Sequence, residues 1–321
     1  MVRILEKTTN VAVVKTLLVL AFLALGGYYF WIKREEILAL EWPSAFALFV
    51  VAVAYVVNIA LRAAYNLITA RHLGARISMG ESFMLSAVVA AGNFLLPVKA
   101  GAGLRALYMK KVHDFPVSHF ASSSMVFMVI TMFVVSVFAL LLVVLIYTQT
   151  GYFRLDLSIL FPIVTIVMVA SVITLRPSWR STSDESWLAA FRGSLFSILR
   201  QRSLIAMSLV IAGLVFVSSS VAWTVAIREF APGTLSFEAF LVAASQIISG
   251  FITLTPGAMG FQELAGLYVG RSFEASSAEI FAALVWVRLV RVAVSIVIAA
   301  PSAFVLRSRT SELDRDEVAA S

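Results

Sequence analysis

The residues best placed to do chemistry are one carboxylate and a few arginines set in apolar surroundings. Glu263 is flanked by Phe261, Gln262, Leu264 and Ala265, and Arg288 and Arg291 lie well inside the apolar stretch Ile280–Leu306. Three residues apart, the two arginines share one helical face. A charge at such depth is costly unless it meets protein, water or an opposite charge. The pattern therefore predicts that Glu263 pairs with Arg288 or Arg291. Such a pair can simply fix helix packing. Alternatively, the arginines hold an anionic lipid headgroup, because the rigid guanidinium fork matches phosphate oxygens. Arg62 and Asn58 stand in the apolar stretch Ser44–Ile68 and extend the same set.

These residues cluster around two matched interruptions of the apolar pattern. Asn93-Phe94-Leu95-Leu96-Pro97-Val98-Lys99-Ala100-Gly101 lies in the first half, and Ile252-Thr253-Leu254-Thr255-Pro256-Gly257-Ala258-Met259-Gly260 in the second. Each carries a Pro and then a Gly four residues on. A helix broken inside a bilayer exposes backbone groups that lipid cannot satisfy, so such breaks line cavities or sites. Gly101-Ala102-Gly103 lets backbone approach a ligand closely, and Arg105 follows it. The expected binding set is Arg62, Asn93, Pro97, Gly101, Arg105, Pro256, Gly257, Gly260, Glu263, Arg288 and Arg291, with no catalytic residue and no metal ligand.

Composition narrows the classes. The 321 residues are 61% hydrophobic and their mean hydropathy is +0.96, more apolar surface than a soluble domain can hide. The net charge of +7 comes from bases flanking apolar stretches. That pattern suits an anionic inner leaflet and not nucleic acid. There is no cysteine, which removes thiolate chemistry. His72, His113 and His119 have no ligand-like spacing, and no P-loop occurs, so neither metal nor other cofactor is expected. Ser122-Ser123-Ser124 and Ser218-Ser219-Ser220 sit inside apolar stretches, where small residues serve close helix packing.

The elements that must position these residues are helices. Val11–Ile32, too long for a signal-peptide core, reads as a retained first span. Ser44–Ile68, Phe120–Tyr147, Leu157–Leu175, Leu204–Ile227 and Ile280–Leu306 read as further spans. Phe83–Pro97, Phe240–Thr255 and Met259–Tyr268 are short for a crossing of about 20 residues. Arg and Lys concentrate in alternate loops, which places both termini in the cytoplasm and makes each short segment enter and leave on one side. The expected fold is all-α: a polytopic protein of the cell (inner) membrane, with about six full spans plus two re-entrant broken helical hairpins. The whole of 1–321 reads as one transmembrane domain. Residues 1–147 and 157–306 form an inverted repeat, and 307–321 a cytoplasmic tail. Leu188–Leu199 is amphipathic and basic, either an interfacial helix or a linker between the halves.

At the two breaks the sequence resembles the membrane domain of lysylphosphatidylglycerol synthases, a flippase-like family with stand-alone members. The resemblance rests on Asn93-Phe94-Leu95-Leu96-Pro97 leading through Gly101 to Arg105, and on Pro256-Gly257-Ala258-Met259-Gly260-Phe261-Gln262-Glu263. The second stretch is close to the family's Pro-Gly-Gly-Leu-Gly-x-x-Glu. Arg62, Arg288 and Arg291 also fit its pattern, and the likeness covers nearly the whole chain. One departure is Ala102, where the family usually carries an acidic residue. The chain has no tail long enough for the soluble aminoacyl-transferring domain of some relatives, so the resemblance implies the lipid-translocating half.

The expected function is a transporter or flippase moving an anionic or glycosylated (phospho)lipid between leaflets. Its expected partner is a membrane lipid with a phosphate-bearing headgroup, and a homo-oligomer is compatible with the pattern. Two alternatives stand beside it. One is an integral-membrane transferase on a lipid-linked donor, with Glu263 as its base. The other is a transporter of small solutes or ions.

Overall fold

The computed structural model describes residues 31–32, 34–35, 39–95, 100–151, 155–174, 187–251, 256–270 and 275–320. These residues form helices and connecting turns, with no strand among them. In chain order the helices are α1 (Ala45–His72), α2 (Met79–Leu95), α3 (Ala100–His113), α4 (Val117–Thr150), α5 (Leu155–Thr174), α6 (Trp187–Arg200), α7 (Arg202–Phe230), α8 (Ser236–Ser249), α9 (Phe261–Gly270) and α10 (Ser277–Ala320).

Local signals set several ends. The Ser44 hydroxyl accepts the Ala47 amide at 3.1 Å, capping α1. Arg71 and His72 lie in the last turn of α1, the end at which a cation meets the negative pole of the helix dipole. Gly151 closes α4 in the left-handed region, φ +70°, with its amide on the Tyr147 carbonyl at 2.8 Å.

The expected count of six full spans plus two re-entrant hairpins does not hold. Among the described residues four helices are long and apolar enough to cross a membrane: Ala45–His72, Val117–Gln149, Arg202–Phe230 and Ser277–Arg309. Most of the expected first span, Val11–Ile32, lies outside the described residues. The remaining apolar stretches form shorter helices, such as the 17 residues of α2 and the 14 of α8, short of the about 20 residues of a typical crossing. α5 is 20 residues long and carries Pro162 in its interior.

α1 and α7 form an antiparallel pair. Glu229, at the end of α7, accepts the Ser44 amide at 2.6 Å and its hydroxyl at 2.9 Å. Midway along, Asn58 donates to the Ser219 hydroxyl at 3.0 Å. Small residues on α8 (Ala239, Ala243 and Ala244, all fully buried) let it sit close among its neighbours in the main core. Larger side chains, among them Phe216, Trp223, Leu284 and Val287, fill the remaining space between the helices of that core. Outward faces stay apolar, as at Phe46, Phe49, Val137, Leu141, Val210 and Leu214. Lipid solvates those faces, so helix association rests on close packing and internal hydrogen bonds.

α1–α4 and α7–α10 follow the same order of long, short, short, long. Their junctions match in detail. Arg71 donates to the Ile77 carbonyl at 3.1 and 2.9 Å just before α2, and Arg228 donates to the Thr234 carbonyl at 3.2 Å just before α8. Glu81 and Glu238 are both buried in the first turns of those short helices. Glu81 also gathers α2, α3 and α10. The Tyr108 hydroxyl donates to it at 2.8 Å, His113 Nε2 lies at 2.8 Å and Arg309 at 3.4 Å.

The amphipathic segment 188–199 falls within α6, whose apolar face (Phe191, Leu195 and Ile198) packs against Val126, Ile130 and Val134 of α4. That face is spent on protein.

Candidate functional site

The described parts of the two interruptions meet, with Gly257 against the Phe94 ring. A cavity of about 320 Å³ is lined by Arg62, Asn66 and Tyr55 of α1, by Asn93 and Phe94 of α2, and by Ala102 and Arg105 of α3. From the second half come Ser218, Ser219 and Trp223 of α7, Gln246 and Gly250 at α8, Gly257, Gln262, and Arg291 of α10.

Tight backbone approaches build it. A Cβ on Gly101 would lie 2.9 Å from the Asn93 amide nitrogen and closer still to the Val89 carbonyl oxygen, so only glycine lets α3 fold back on α2 there. Gly257 adopts φ +58° and presses on Phe94, whose ring a Cβ would meet at 3.0 Å. Ala258 also takes a positive φ, +53°, a conformation that costs a residue with a Cβ about 1–3 kcal/mol.

Three guanidinium groups face this space. Arg105 is only 7% exposed and stacks over Phe120 at 5.5 Å. Arg291 sits between the rings of Tyr55 and Phe94, at 5.1 and 5.6 Å. Arg62 donates to Asn58 Oδ1 at 2.8 Å and lies 5.9 Å from the Phe127 ring. Aromatic faces stabilise cations without neutralising them. The buried Nε atoms of Arg105 and Arg291 have no hydrogen-bond partner among the described residues. Among the same residues no Asp or Glu lines the cavity. Desolvated positive charge without a counter-ion favours an anion.

Glu263 does not line the cavity itself but borders a small adjoining recess with Arg288, Arg291, Gln262 and Phe94. Its Oε1 accepts Arg288 Nε at 2.7 Å, with 14% of each side chain accessible. Its Oε2 accepts the amide of Gly260, itself in the left-handed region at φ +83°. Glu263 thus caps α9 and fixes Arg288, and both of its oxygens are engaged. Arg288 passes the connection on, donating to Gln262 Oε1 at 3.0 Å. Gln262 and Gln246 then exchange side chain-to-carbonyl bonds of 3.0 and 2.6 Å, joining α8 to α9. Gly250 and Gly266 make room for this exchange, since a Cβ on either would meet a glutamine Nε2 at 2.7 or 2.9 Å.

Of the expected binding set, Arg62, Asn93, Arg105, Gly257 and Arg291 line the cavity. Gly101 and Gly260 shape the backbone behind it, and Glu263 and Arg288 form the pair beside it. Pro97 lies outside the described residues, and Pro256 is described only as part of a 3₁₀ turn, Pro256–Ala258. Arg288 and Arg291 share a helical face but not a task. The Gly260 amide is taken by Glu263 and is not free for a ligand. Sequence reasoning missed the Gln246–Gln262 exchange. Gln246 is a polar residue in an apolar run, so the argument that singled out Glu263 applied to it too.

Residues 12–299 match the family described as Lysylphosphatidylglycerol synthase TM region, and the chain belongs to that family. A search of curated proteins finds no match.

Proposed function

We propose that this member of a flippase-like membrane family moves a lipid between leaflets by passing its phosphate-bearing headgroup through the arginine-lined cavity. The observation that carries this reading is the placement of Arg62, Arg105 and Arg291 around one space with no described acidic residue on its wall. Guanidinium donors fit phosphate oxygens, and the acyl tails stay in lipid through a lateral opening. Reconstitution into liposomes with a headgroup-labelled anionic phospholipid tests it. Outer-leaflet label is destroyed by an impermeant quencher. The protein should expose nearly all the label, against about half in protein-free vesicles. Protection of the inner-leaflet label in both preparations would end the flippase reading.

The protein is a multi-pass membrane protein. We further propose that its halves, 1–147 and 157–306, are inverted repeats and that both termini are cytoplasmic. The matched arginine–carbonyl bonds at 71 and 228 and the antiparallel pairing of α1 with α7 support this. The chain has no cysteine, so single cysteines report sidedness without a background. Arg76→Cys and Gly233→Cys, at exposed equivalent turns, should react with an impermeant maleimide from opposite sides, with Arg76→Cys on the cytoplasmic side. Labelling of both from one side would exclude inverted halves.

A further inference from the structure

Resting on the lipid-translocating reading, the geometry points to a headgroup class: a phosphate bearing hydroxylated, uncharged substituents, with ammonium-bearing headgroups rejected. Three features carry this. The cavity presents guanidinium groups from three different helices, α1, α3 and α10. None of them is paired with an acid among the described residues: Arg62 is held by an amide oxygen, while Arg105 and Arg291 rest on aromatic rings. The rest of the polar wall is neutral, made of Asn66, Asn93, Ser218 and Gln246 among others.

A phosphodiester brings one negative charge and several acceptors to these donors. A glycerol, inositol or sugar substituent adds hydroxyls that neutral amides and serines both donate to and accept from. An ammonium group must enter the same dehydrated space beside three like charges; no described carboxylate lines it, and Glu263 in the adjoining recess already holds Arg288 and the Gly260 amide. Ala102 is the position that decides this. It lines the cavity one turn before Arg105, where a carboxylate would stand among the guanidinium groups. With alanine there, the wall keeps its full positive charge. An aminoacylated phosphatidylglycerol is therefore a poor cargo for this chain.

The test uses full-length protein in liposomes carrying labelled phosphatidylglycerol, phosphatidylethanolamine or lysyl-phosphatidylglycerol. Phosphatidylglycerol should move at least about tenfold faster than either amine lipid, a difference of about 1.4 kcal/mol. Ala102→Glu should bring the three rates to within about threefold of one another by slowing the first and speeding the others. A second measurement stands even where that variant does not fold: glycerol phosphate should raise the thermal midpoint of the wild-type protein in detergent, and phosphoethanolamine should not. Equal wild-type rates for phosphatidylglycerol and the amine lipids would overturn the headgroup assignment and leave the flippase reading intact. So would equal thermal shifts, or an unchanged preference in a folded Ala102→Glu protein. Failure to move any of the three lipids would overturn both.

Discussion

Replacing Arg105 by methionine is expected to make the protein more stable and a much worse transporter. The Arg105 guanidinium is buried to 7% exposure, its Nε has no hydrogen-bond partner among the described residues, and the Phe120 ring lies 5.5 Å away. An unpaired charge held out of water is a standing cost to the fold. Methionine fills similar volume and carries no charge. Exchanging buried ionic groups for apolar ones of like size is often neutral or stabilising, by about 1–4 kcal/mol. The same change removes donors from a proposed phosphate site. A hydrogen bond to a charged group is worth about 1.5–3 kcal/mol, so translocation should fall by roughly tenfold to a hundredfold. Thermal unfolding in detergent and the liposome assay read the two effects separately. Arg291→Met, beside Tyr55 and Phe94, should follow the same pattern. Lower stability together with normal transport would make Arg105 a packing residue and remove it from the site.

Glu263 and Arg288 are expected to behave in the opposite way. Each satisfies the other at 2.7 Å, and Glu263 also holds the Gly260 amide. Glu263→Ala leaves a largely buried arginine without its partner and α9 without its cap. Breaking a buried pair from one side costs about 3–5 kcal/mol. The 14% accessibility of each side chain puts this case toward the lower end. Because Arg288 also donates to Gln262, the loss should spread to the Gln246–Gln262 exchange. Removing both partners, as in Glu263→Ala with Arg288→Met, should cost less than the Glu263→Ala and Arg288→Met losses added, with a coupling of about 1–3 kcal/mol. A double-mutant cycle on unfolding in detergent measures it. Additive losses would mean that the 2.7 Å contact contributes nothing to stability.

Read alone, the sequence determined the all-α membrane class. Its apolar stretches near Ser44–Ile68, Phe120–Tyr147, Leu204–Ile227 and Ile280–Leu306 correspond to the four long helices among the described residues. The reason is local: burying about twenty apolar residues in lipid needs no knowledge of neighbours. Family membership was legible for a similar reason. The Pro256-Gly257 to Gly260-Glu263 stretch encodes a left-handed turn and a capped helix start in one short contiguous segment.

The tertiary structure decided what contiguous residues could not. The count of spans differed at two places: most of Val11–Ile32 lies outside the described residues, and Leu157–Leu175 falls in α5, a 20-residue helix with Pro162 in its interior that is not among the four long apolar helices of the described residues. The roles of Arg288 and Arg291 separated only when α9, α1 and α2 were packed beside α10, giving one arginine a carboxylate and the other two aromatic rings. Whether a buried charge is paired depends on groups far away in the chain. Arg62, Arg105 and Arg291 come from three separate helices, and their shared cavity exists only because glycine at 101 and 257 lets distant backbone segments come within van der Waals contact.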